Sequence, residues 1–157
     1  NQLHFLLNCH LKAGIRMSTL LEKLNYKGQK RIVVMNSGRD FILGSDDEIR
    51  GIQIDSEIDQ RFPYEFMLIF VRKITEVKAF APLVLHNLVD NGVLWFCYQK
   101  SSGKCSSELN RENGWQSLND MDFYGTRVIS VNDEWSALRF RNIKYIKSKS
   151  SRYPKKK

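Results

Sequence analysis

The chain has 157 residues, of which 42% are hydrophobic and 27% are charged, a balance typical of one globular domain that buries its own core. No apolar run approaches the roughly 20 residues of a membrane-spanning helix. Three cysteines without a C-x-x-C pair argue against a disulfide framework or a zinc knuckle. We therefore expect a cytoplasmic protein that does not enter a membrane and has no metal site.

The net charge of +8 is concentrated at the two ends of the chain. Residues 144–157 include seven basic residues and no acidic one, and residues 1–16 include two basic ones, which leaves −1 for residues 17–143. We expect residues 147–157 to form a basic, disordered tail that solubilises the protein. Weak attraction of this tail for nucleic acid is the alternative.

The domain is expected to span residues 17–146. Residues 1–16 lack an initiator methionine, whereas Met17 opens the sequence MSTLLEKL, which is typical of a natural start. We expect residues 1–16 to be an N-terminal extension, and whether they belong to the native protein stays open.

The first half of the domain predicts one short helix and three strands. A capping box at Thr19 and Glu22 predicts a helix that ends near Asn25. KRIVVM, residues 30–35, predicts a buried strand, and RDFILG, residues 39–44, predicts a turn or two of helix. GIQIDSEI, residues 51–58, predicts a weaker strand, and EFMLIFV, residues 65–71, predicts the clearest buried strand of the chain.

The second half predicts a long helix, a strand and a closing hairpin. Residues 73–92 have apolar side chains at helical spacing, with Pro82 expected to kink or restart the helix. GVLWFCY, residues 92–98, predicts a buried strand, and residues 106–118 predict a short helix that begins at Ser106 or Ser107. GTRVISV and WSALRFRNI are joined by only three residues, which requires an antiparallel hairpin.

This alternation predicts an α/β protein with a three-layer Rossmann-like sandwich. The sheet is expected to be mostly parallel, with a C-terminal antiparallel hairpin. In such sheets the ligand crevice lies beyond the carboxyl ends of the strands, near the point where the strand order reverses. Three loops are therefore of interest: NSGRD, VRK and QKSSGK.

Gly38 and Asp55 are candidate cofactor contacts. Enzymes that bind a dinucleotide or S-adenosylmethionine need several glycines after the first strand, so that the backbone can approach the cofactor, but this loop has only Gly38. Asp55 ends the second strand 17 residues later, near the spacing of a ribose-binding carboxylate. An aspartate that merely ends a strand is the more common case.

The loop YQKSSGKCSSE, residues 98–108, is a candidate site for an anionic small molecule. Backbone amides, serine hydroxyls and two lysine charges would surround the anion at the start of a helix. The residues concerned are Lys100, Ser101, Ser102, Gly103 and Lys104. A Walker loop is excluded because Tyr98 stands where its first glycine is required. The alternative is a solvated connection between a strand and a helix.

No catalytic residue is recognisable in this sequence. Asp133 and Glu134 could reach the crevice, but a hairpin turn is the more common role for such residues. His86, the only histidine of the predicted domain, lies among helical apolar residues, and Cys105 has no base near it in sequence. A second histidine for a metal cluster is absent from residues 17–146.

Two segments, LVDNGVLWFCYQKSSGK and ISVNDEWSALRFR, resemble a family of small bacterial Rossmann-like proteins of unknown function. The similar features fall on Gly92 to Lys104 and on Val131 to Arg141, and the resemblance spans roughly residues 20–143. It implies the Rossmann-like fold but supplies no activity. The architecture is also similar to the sheet of S-adenosylmethionine-dependent methyltransferases, which ends in an antiparallel hairpin as well.

Three hypotheses of function follow. The first is a non-catalytic binding or regulatory module. The second is a divergent methyltransferase-like or nucleotide-binding enzyme, with S-adenosylmethionine or a nucleotide as the cofactor. The third is weak attachment to nucleic acid through the C-terminal tail.

Overall fold

The computed structural model describes residues 17–102, 107–148 and 150–154. This part of the chain forms six strands and four α-helices, and a short 3₁₀ helix follows the last strand. The elements are α1 Leu20–Lys23, β1 Arg31–Met35, α2 Asp46–Ile49, β2 Gln53–Asp55, β3 Tyr64–Phe70, α3 Ile74–His86, β4 Leu88–Gln99, α4 Gln116–Asn119, β5 Phe123–Ser130, β6 Trp135–Asn142 and the 3₁₀ helix Ile143–Tyr145.

The strands form one mixed sheet in the order β2-β1-β3-β4-β6-β5. β1 pairs in parallel with β2 on one side and with β3 on the other, and β3 pairs in parallel with β4. β6 pairs antiparallel with both β4 and β5. The predicted α/β class is confirmed, and the closing hairpin is present as an antiparallel pair.

The central strands are apolar on both sides because both faces of the sheet are covered. On one face, which we call the helix face, Val77, Ala81 and Val84 of α3 pack with Met67 and other alternate strand residues. The opposite face, which we call the loop face, includes Leu21 of α1, Leu24 directly after that helix, and Leu43 from the chain after β1. The alternation of strand side chains divides β3 and β4 between these two cores.

Trp95 of β4 ties α1 to the loop face. Its side chain is fully buried, and its indole N–H donates a hydrogen bond of 2.8 Å to the carbonyl of Leu24, directly after the helix. A four-residue helix has too few internal hydrogen bonds to hold its own position. The packing of Leu21 and Leu24 and this one hydrogen bond therefore hold α1 on the sheet.

Two helix predictions in the first half need correction. α1 begins after Thr19, whose side chain accepts from the amide of Glu22, but it ends at Lys23. Residues 39–44 form no helix; the next helix is α2, which begins at Asp46. The reason is the capping box of Ser45 and Glu48, in which each side chain accepts a hydrogen bond from the other residue's backbone amide.

Three boundaries in the second half also differ from prediction. α3 continues through Pro82 without a restart and ends at His86, and β4 begins at Leu88, four residues before the predicted strand. The short helix expected from Ser106 or Ser107 lies at Gln116–Asn119 instead; Ser106 is outside the described residues. Residues 107–115 form a loop, and the burial of Leu109 and Trp115 explains its irregular path.

None of the described helices combines the length and the apolar character that crossing a membrane requires.

Gly114 gives a test of this loop packing. Its φ is +103°, and a Cβ there would lie 2.2 Å from Cδ2 of the buried Leu109. Gly28 has a similar φ of +87°, but a Cβ would meet no atom within 4 Å. We expect Gly28→Ala to lower the free energy of unfolding by about 1–2 kcal/mol through backbone strain alone. Gly114→Ala should cost about 1–3 kcal/mol more, because it also overpacks the core.

Urea denaturation of the two variants and of the parent chain measures this difference. Equal losses for Gly28→Ala and Gly114→Ala would show that Leu109 does not pack against Gly114 as described.

Candidate functional site

A cleft opens at the carboxyl ends of β1, β3 and β4. The turn between β5 and β6 closes one side of it, and the cavity measures about 400 Å³. The described residues that line this cleft are Ser37, Gly38, Arg39, Asp40, Phe41, Arg72, Gln99, Asn132, Asp133, Glu134 and Trp135. The predicted loops NSGRD and VRK thus meet here, together with Gln99 from the start of the third loop.

Asn36 and Gly38 turn the chain sharply at the end of β1. Both have a positive φ, +64° and +83°, which asparagine and glycine tolerate better than other residues. The side-chain amide of Asn36 donates a hydrogen bond of 2.9 Å to the carbonyl of Phe70 and one of 2.8 Å to Oε2 of Glu76. The loop after β1 is therefore fastened to the end of β3 and to the first turn of α3.

Arg72 places a positive charge in the cleft. Its guanidinium carbon lies 5.0 Å from the ring centroid of Trp135, a cation–π distance, and Nη1 donates 3.4 Å to the carbonyl of Asn36. Oε1 of Glu76 accepts hydrogen bonds from the backbone amides of Arg72 and Lys73 at 2.7 and 3.2 Å. Backbone and side chain of Arg72 are both positioned by neighbours.

Aromatic rings form the floor of the cleft. Trp135 meets Phe70 edge to face with ring centroids 5.0 Å apart, and Phe70 meets Phe41 in the same way at 4.8 Å. Trp135 is 6% exposed and Phe70 is fully buried, so these rings also belong to the core of the loop face. The polar residues of the cleft are thereby mounted on packed, rigid elements.

The hairpin turn forms one wall of the cleft. Oδ1 of Asn132 accepts from the backbone amides of Glu134 and Trp135, each at 2.9 Å, which closes the turn. Asn132 and Asp133 are not among the described residues with a positive φ, so the turn forms without left-handed backbone at these two positions. Asp133 and Glu134 shape the turn and line the cleft at the same time.

The cleft presents charges of both signs. Arg39 and Arg72 are its described cations, and Asp40, Asp133 and Glu134 are its described carboxylates. Such a lining suits a ligand that carries an anionic group and also hydroxyl or amino groups that donate to carboxylates.

A second, more apolar cavity adjoins the cleft and measures about 460 Å³. Ser37 and Phe41 line both cavities, so the two meet at the chain after β1. Ile42 is 76% exposed and Ile54 38% exposed at this cavity, which is unusual for large aliphatic side chains. Polar and apolar binding surfaces therefore lie side by side, and Ser56 at the end of β2 lines the apolar one.

The predicted anion loop contributes little of this lining. Lys100 Nζ donates 2.7 Å to Oγ of Ser130, and the Lys100 amide donates 2.8 Å to the carbonyl of Glu134. Lys100, Ser101 and Ser102 are not among the described residues that line the cleft. Gly103 and Lys104 lie outside the described residues, so the convergence of amides in this loop stays a prediction. Gly38 is the predicted contact that does line the cleft.

Asp55 faces away from both cavities into a cluster with Arg31, Asp59 and Tyr64. Its Oδ2 accepts from Arg31 Nε at 2.7 Å and from the Tyr64 hydroxyl at 2.5 Å. Arg31 Nη2 also donates 3.2 Å to Asp59. Successive side chains along a strand point to opposite faces of the sheet. The next residue, Ser56, therefore lies at the apolar cavity, whereas Asp55 does not. The structure therefore does not bring Asp55 and Gly38 together.

Hydrogen bonds lower the pKa of Asp55. Burial alone would raise the pKa of this carboxyl, but hydrogen bonds from Tyr64, Gln53 and Arg31 outweigh burial and hold the pKa below its ordinary value. The carboxylate is thus stabilised in its charged form by partners within the fold. This arrangement suits an aspartate that holds β2 against β1 and β3.

Sequence reasoning flagged the loops but missed several residues of the site. Arg72 and Gln99 stand directly after buried strands, and that position is the signal that could have singled them out. Phe41 and Ile42 were assigned to a helix that does not form. The exposure of Ile42 beside a cavity is not visible in the sequence, because an apolar run after a strand usually enters the core.

Neither metal-ligand groups among the described residues nor comparisons with known proteins identify a function. In residues 17–102, 107–148 and 150–154, no group of three histidine, cysteine, aspartate or glutamate side chains could hold a metal ion. Comparison with models of known protein families gives no match, and comparison with curated proteins gives no significant similarity. The geometry of the cleft is therefore the basis for inferring function.

The lowered pKa of Asp55 makes stability depend on pH. A carboxyl with a lower pKa in the folded state stabilises the fold above its unfolded pKa, and this contribution is lost as pH falls through the folded pKa. We expect the free energy of unfolding to decrease below about pH 4, the ordinary pKa of aspartate. Asp55→Asn should show a smaller decrease, because its side chain does not titrate.

Urea denaturation at about pH 6 and about pH 3 measures the two slopes. The matched control is Asp47→Asn, since Asp47 is 85% exposed in a surface ion pair with Arg50 and should follow the parent chain. An unchanged pH dependence in Asp55→Asn would contradict a stabilising role for the Asp55 cluster.

Proposed function

We propose that this protein is a binding module for a small anionic ligand, which it holds in the cleft at the carboxyl ends of β1, β3 and β4. The observation that carries the proposal is the meeting of the segments after β1 and β3, the last residue of β4 and one hairpin turn around a single cavity of about 400 Å³. Ligand cavities of this kind are concave, mounted on rigid elements and furnished with a few converging polar groups.

The strand order supports this location. The chain runs from β1 outward to β2 on one side, then returns to β3 on the other side of β1, so the order reverses beside β1. Ligands of open α/β sheets bind beyond the carboxyl ends of the strands at such a reversal. A Rossmann-like arrangement is part of the proposal, with α3 on one face and short segments on the other.

The charges and the adjoining cavity define the ligand class. Arg39 and Arg72 attract an anionic group, and guanidinium groups bind phosphate or carboxylate through paired hydrogen bonds. The apolar cavity beyond Phe41 would receive a planar or aliphatic portion of the same molecule. A ligand with one charged end and one apolar or planar end, such as a nucleotide or an S-adenosyl compound, fits this description.

The second candidate is a divergent S-adenosylmethionine-dependent or nucleotide-using enzyme. The order of the parallel strands and the antiparallel pair at the end of the sheet favour it, because this arrangement is similar to the sheet of the methyltransferases. The single glycine of the first loop favours the binding module, since a close backbone approach to a cofactor needs more such positions.

A thermal-shift panel separates these proposals. The panel contains adenosine mono- and triphosphate, S-adenosylmethionine, S-adenosylhomocysteine and inorganic phosphate at millimolar concentrations. A ligand present at 100 times its Kd stabilises the fold by about 2.7 kcal/mol, which raises Tm measurably. Stabilisation by the S-adenosyl compounds alone would favour the enzyme. A flat panel would contradict a ligand of either class.

Arg72 is the residue to change once a ligand of the panel binds. We expect Arg72→Gln to weaken binding by about 10- to 150-fold, because a hydrogen bond to a charged group contributes about 1.5–3 kcal/mol. Isothermal titration calorimetry measures the change. Arg72→Lys, which keeps the charge without the planar fork, should recover part of the affinity.

The matched control is Arg61→Gln. Arg61 is 91% exposed and lies outside the cleft, so its removal makes the same change in net charge at another place. Equal affinity in Arg72→Gln and Arg61→Gln would contradict an anion site beside Arg72.

A further inference from the structure

Three arginines lie together on the hairpin of β5 and β6. Arg127 of β5 stands directly opposite Arg139 of β6, and Arg141 follows two residues later on β6. Opposite residues of antiparallel strands, and residues two apart on one strand, project from the same face of a sheet. We call these three residues, Arg127, Arg139 and Arg141, the arginine patch.

The patch continues the loop face of the sheet beyond its apolar core. On β6, Trp135 and Ala137 belong to that core, and the same alternation then places Arg139 and Arg141 on the same side. Arg139 is also paired across the sheet with the fully buried Trp95. The face therefore changes from apolar to cationic within one strand.

No acidic side chain neutralises the patch. All 17 acidic residues of the chain fall within the described residues, and every ion pair found there within 4.0 Å involves other cations. Arg141 Nη2 donates 3.0 Å to the neutral side chain of Asn91. The Nε atoms of Arg139 and Arg141 are buried and have no hydrogen-bond partner.

Such a cluster is unfavourable for the isolated chain. Burial, and then the positive charges of Arg141 and Arg127, lower the pKa of the Arg139 guanidinium. Like charges directly opposite on neighbouring strands destabilise a sheet. An anion bound to the patch would reduce this repulsion.

The basic C-terminal segment returns to the same edge of the sheet. The hydroxyl of Tyr153 donates 3.0 Å to the carbonyl of Gly125 on β5, and its ring packs edge-on against Tyr124 at 6.2 Å between centroids. Tyr124 stands opposite Arg141 in the hairpin. Arg152 therefore lies in a segment that is anchored on β5, the edge strand that also carries Arg127.

We propose that the arginine patch binds the phosphate backbone of a nucleic acid. Three neighbouring cations without a carboxylate partner match a polymer with repeated charges better than a single anion. Guanidinium forks match phosphate oxygens in geometry and charge. Contacts to phosphate carry no base information, so the binding is independent of sequence.

Fluorescence anisotropy with a labelled 20-nucleotide single strand, between 50 and 200 mM salt, tests the proposal. In the full chain, Arg127→Gln, Arg139→Gln and Arg141→Gln together should weaken binding at 50 mM salt at least tenfold. The slope of log affinity against log salt should flatten by about 2, since each neutralised phosphate of a single strand contributes about 0.7. Arg127→Gln alone should flatten the slope by about 0.7.

The matched control combines Arg50→Gln, Arg61→Gln and Lys78→Gln, three exposed cations that lie on neither β5 nor β6. It makes the same change in net charge and should alter affinity less than threefold. Removal of the patch should leave the unfolding midpoint equal to or above that of the parent chain, because repulsion is relieved. Reduced binding by the patch variant would therefore result from the loss of surface charges and not from unfolding.

Four outcomes would overturn the proposal. The first is that the parent chain does not bind the strand at 50 mM salt. The second is that the patch and control variants lose affinity equally. The third is full retention of affinity in the patch variant while Lys155→Gln, Lys156→Gln and Lys157→Gln abolish binding. The last is displacement of the strand equally well by polyglutamate of the same charge, or by inorganic phosphate at constant ionic strength.

Discussion

Burial of β3 on both faces is the constraint on which the rest of the structure depends. Every residue from Phe66 to Phe70 is fully buried, so apolar side chains emerge on both faces of the sheet and each face has to be covered. Among the described α-helices, only α3 exceeds four residues, and it covers the helix face. The loop face is left to α1, to the buried hydrogen bond of Trp95 and to the chain after β1.

Because little helix covers the loop face, the chain after β1 both covers the core and forms the cleft. The chain after β1 has to stay close to the sheet because Phe41 and Leu43 help to cover the loop face. It also has to turn at its start, and Asn36 supplies both the positive φ and the hydrogen bonds that fasten the turn to Phe70 and Glu76. Cover for the core and walls for the cleft are therefore supplied by the same residues, which explains why polar and apolar cavities adjoin there.

The near-neutral net charge of residues 17–143 conceals an uneven distribution of charge across the sheet. Near the edge strand β2, each arginine has a carboxylate partner: Arg31 with Asp55 and Asp59, Arg50 with Asp47, and Arg61 with Asp59. On the opposite edge, the arginine patch has none within the same distance. Since β2 and β5 are the two edge strands of the sheet, five positions apart in strand order, the carboxylates near β2 cannot pair with the arginine patch without disrupting the sheet. Net charge summed along the chain is therefore a poor guide to the charge of a surface.

The sequence by itself determined the class of the fold, because the signals for it are local. β-branched and aromatic runs specify β1, β3 and β4, and three linking residues require the final hairpin. Its loops also pointed to the region of the cleft, since parallel strands end at a common edge. Only the tertiary structure decided that Asp55 faces Arg31 and not Gly38, that Arg72 lies over Trp135, and that Arg127 stands opposite Arg139. Each of these contacts depends on strand order and register, which bring together residues remote in the chain and which no local pattern encodes.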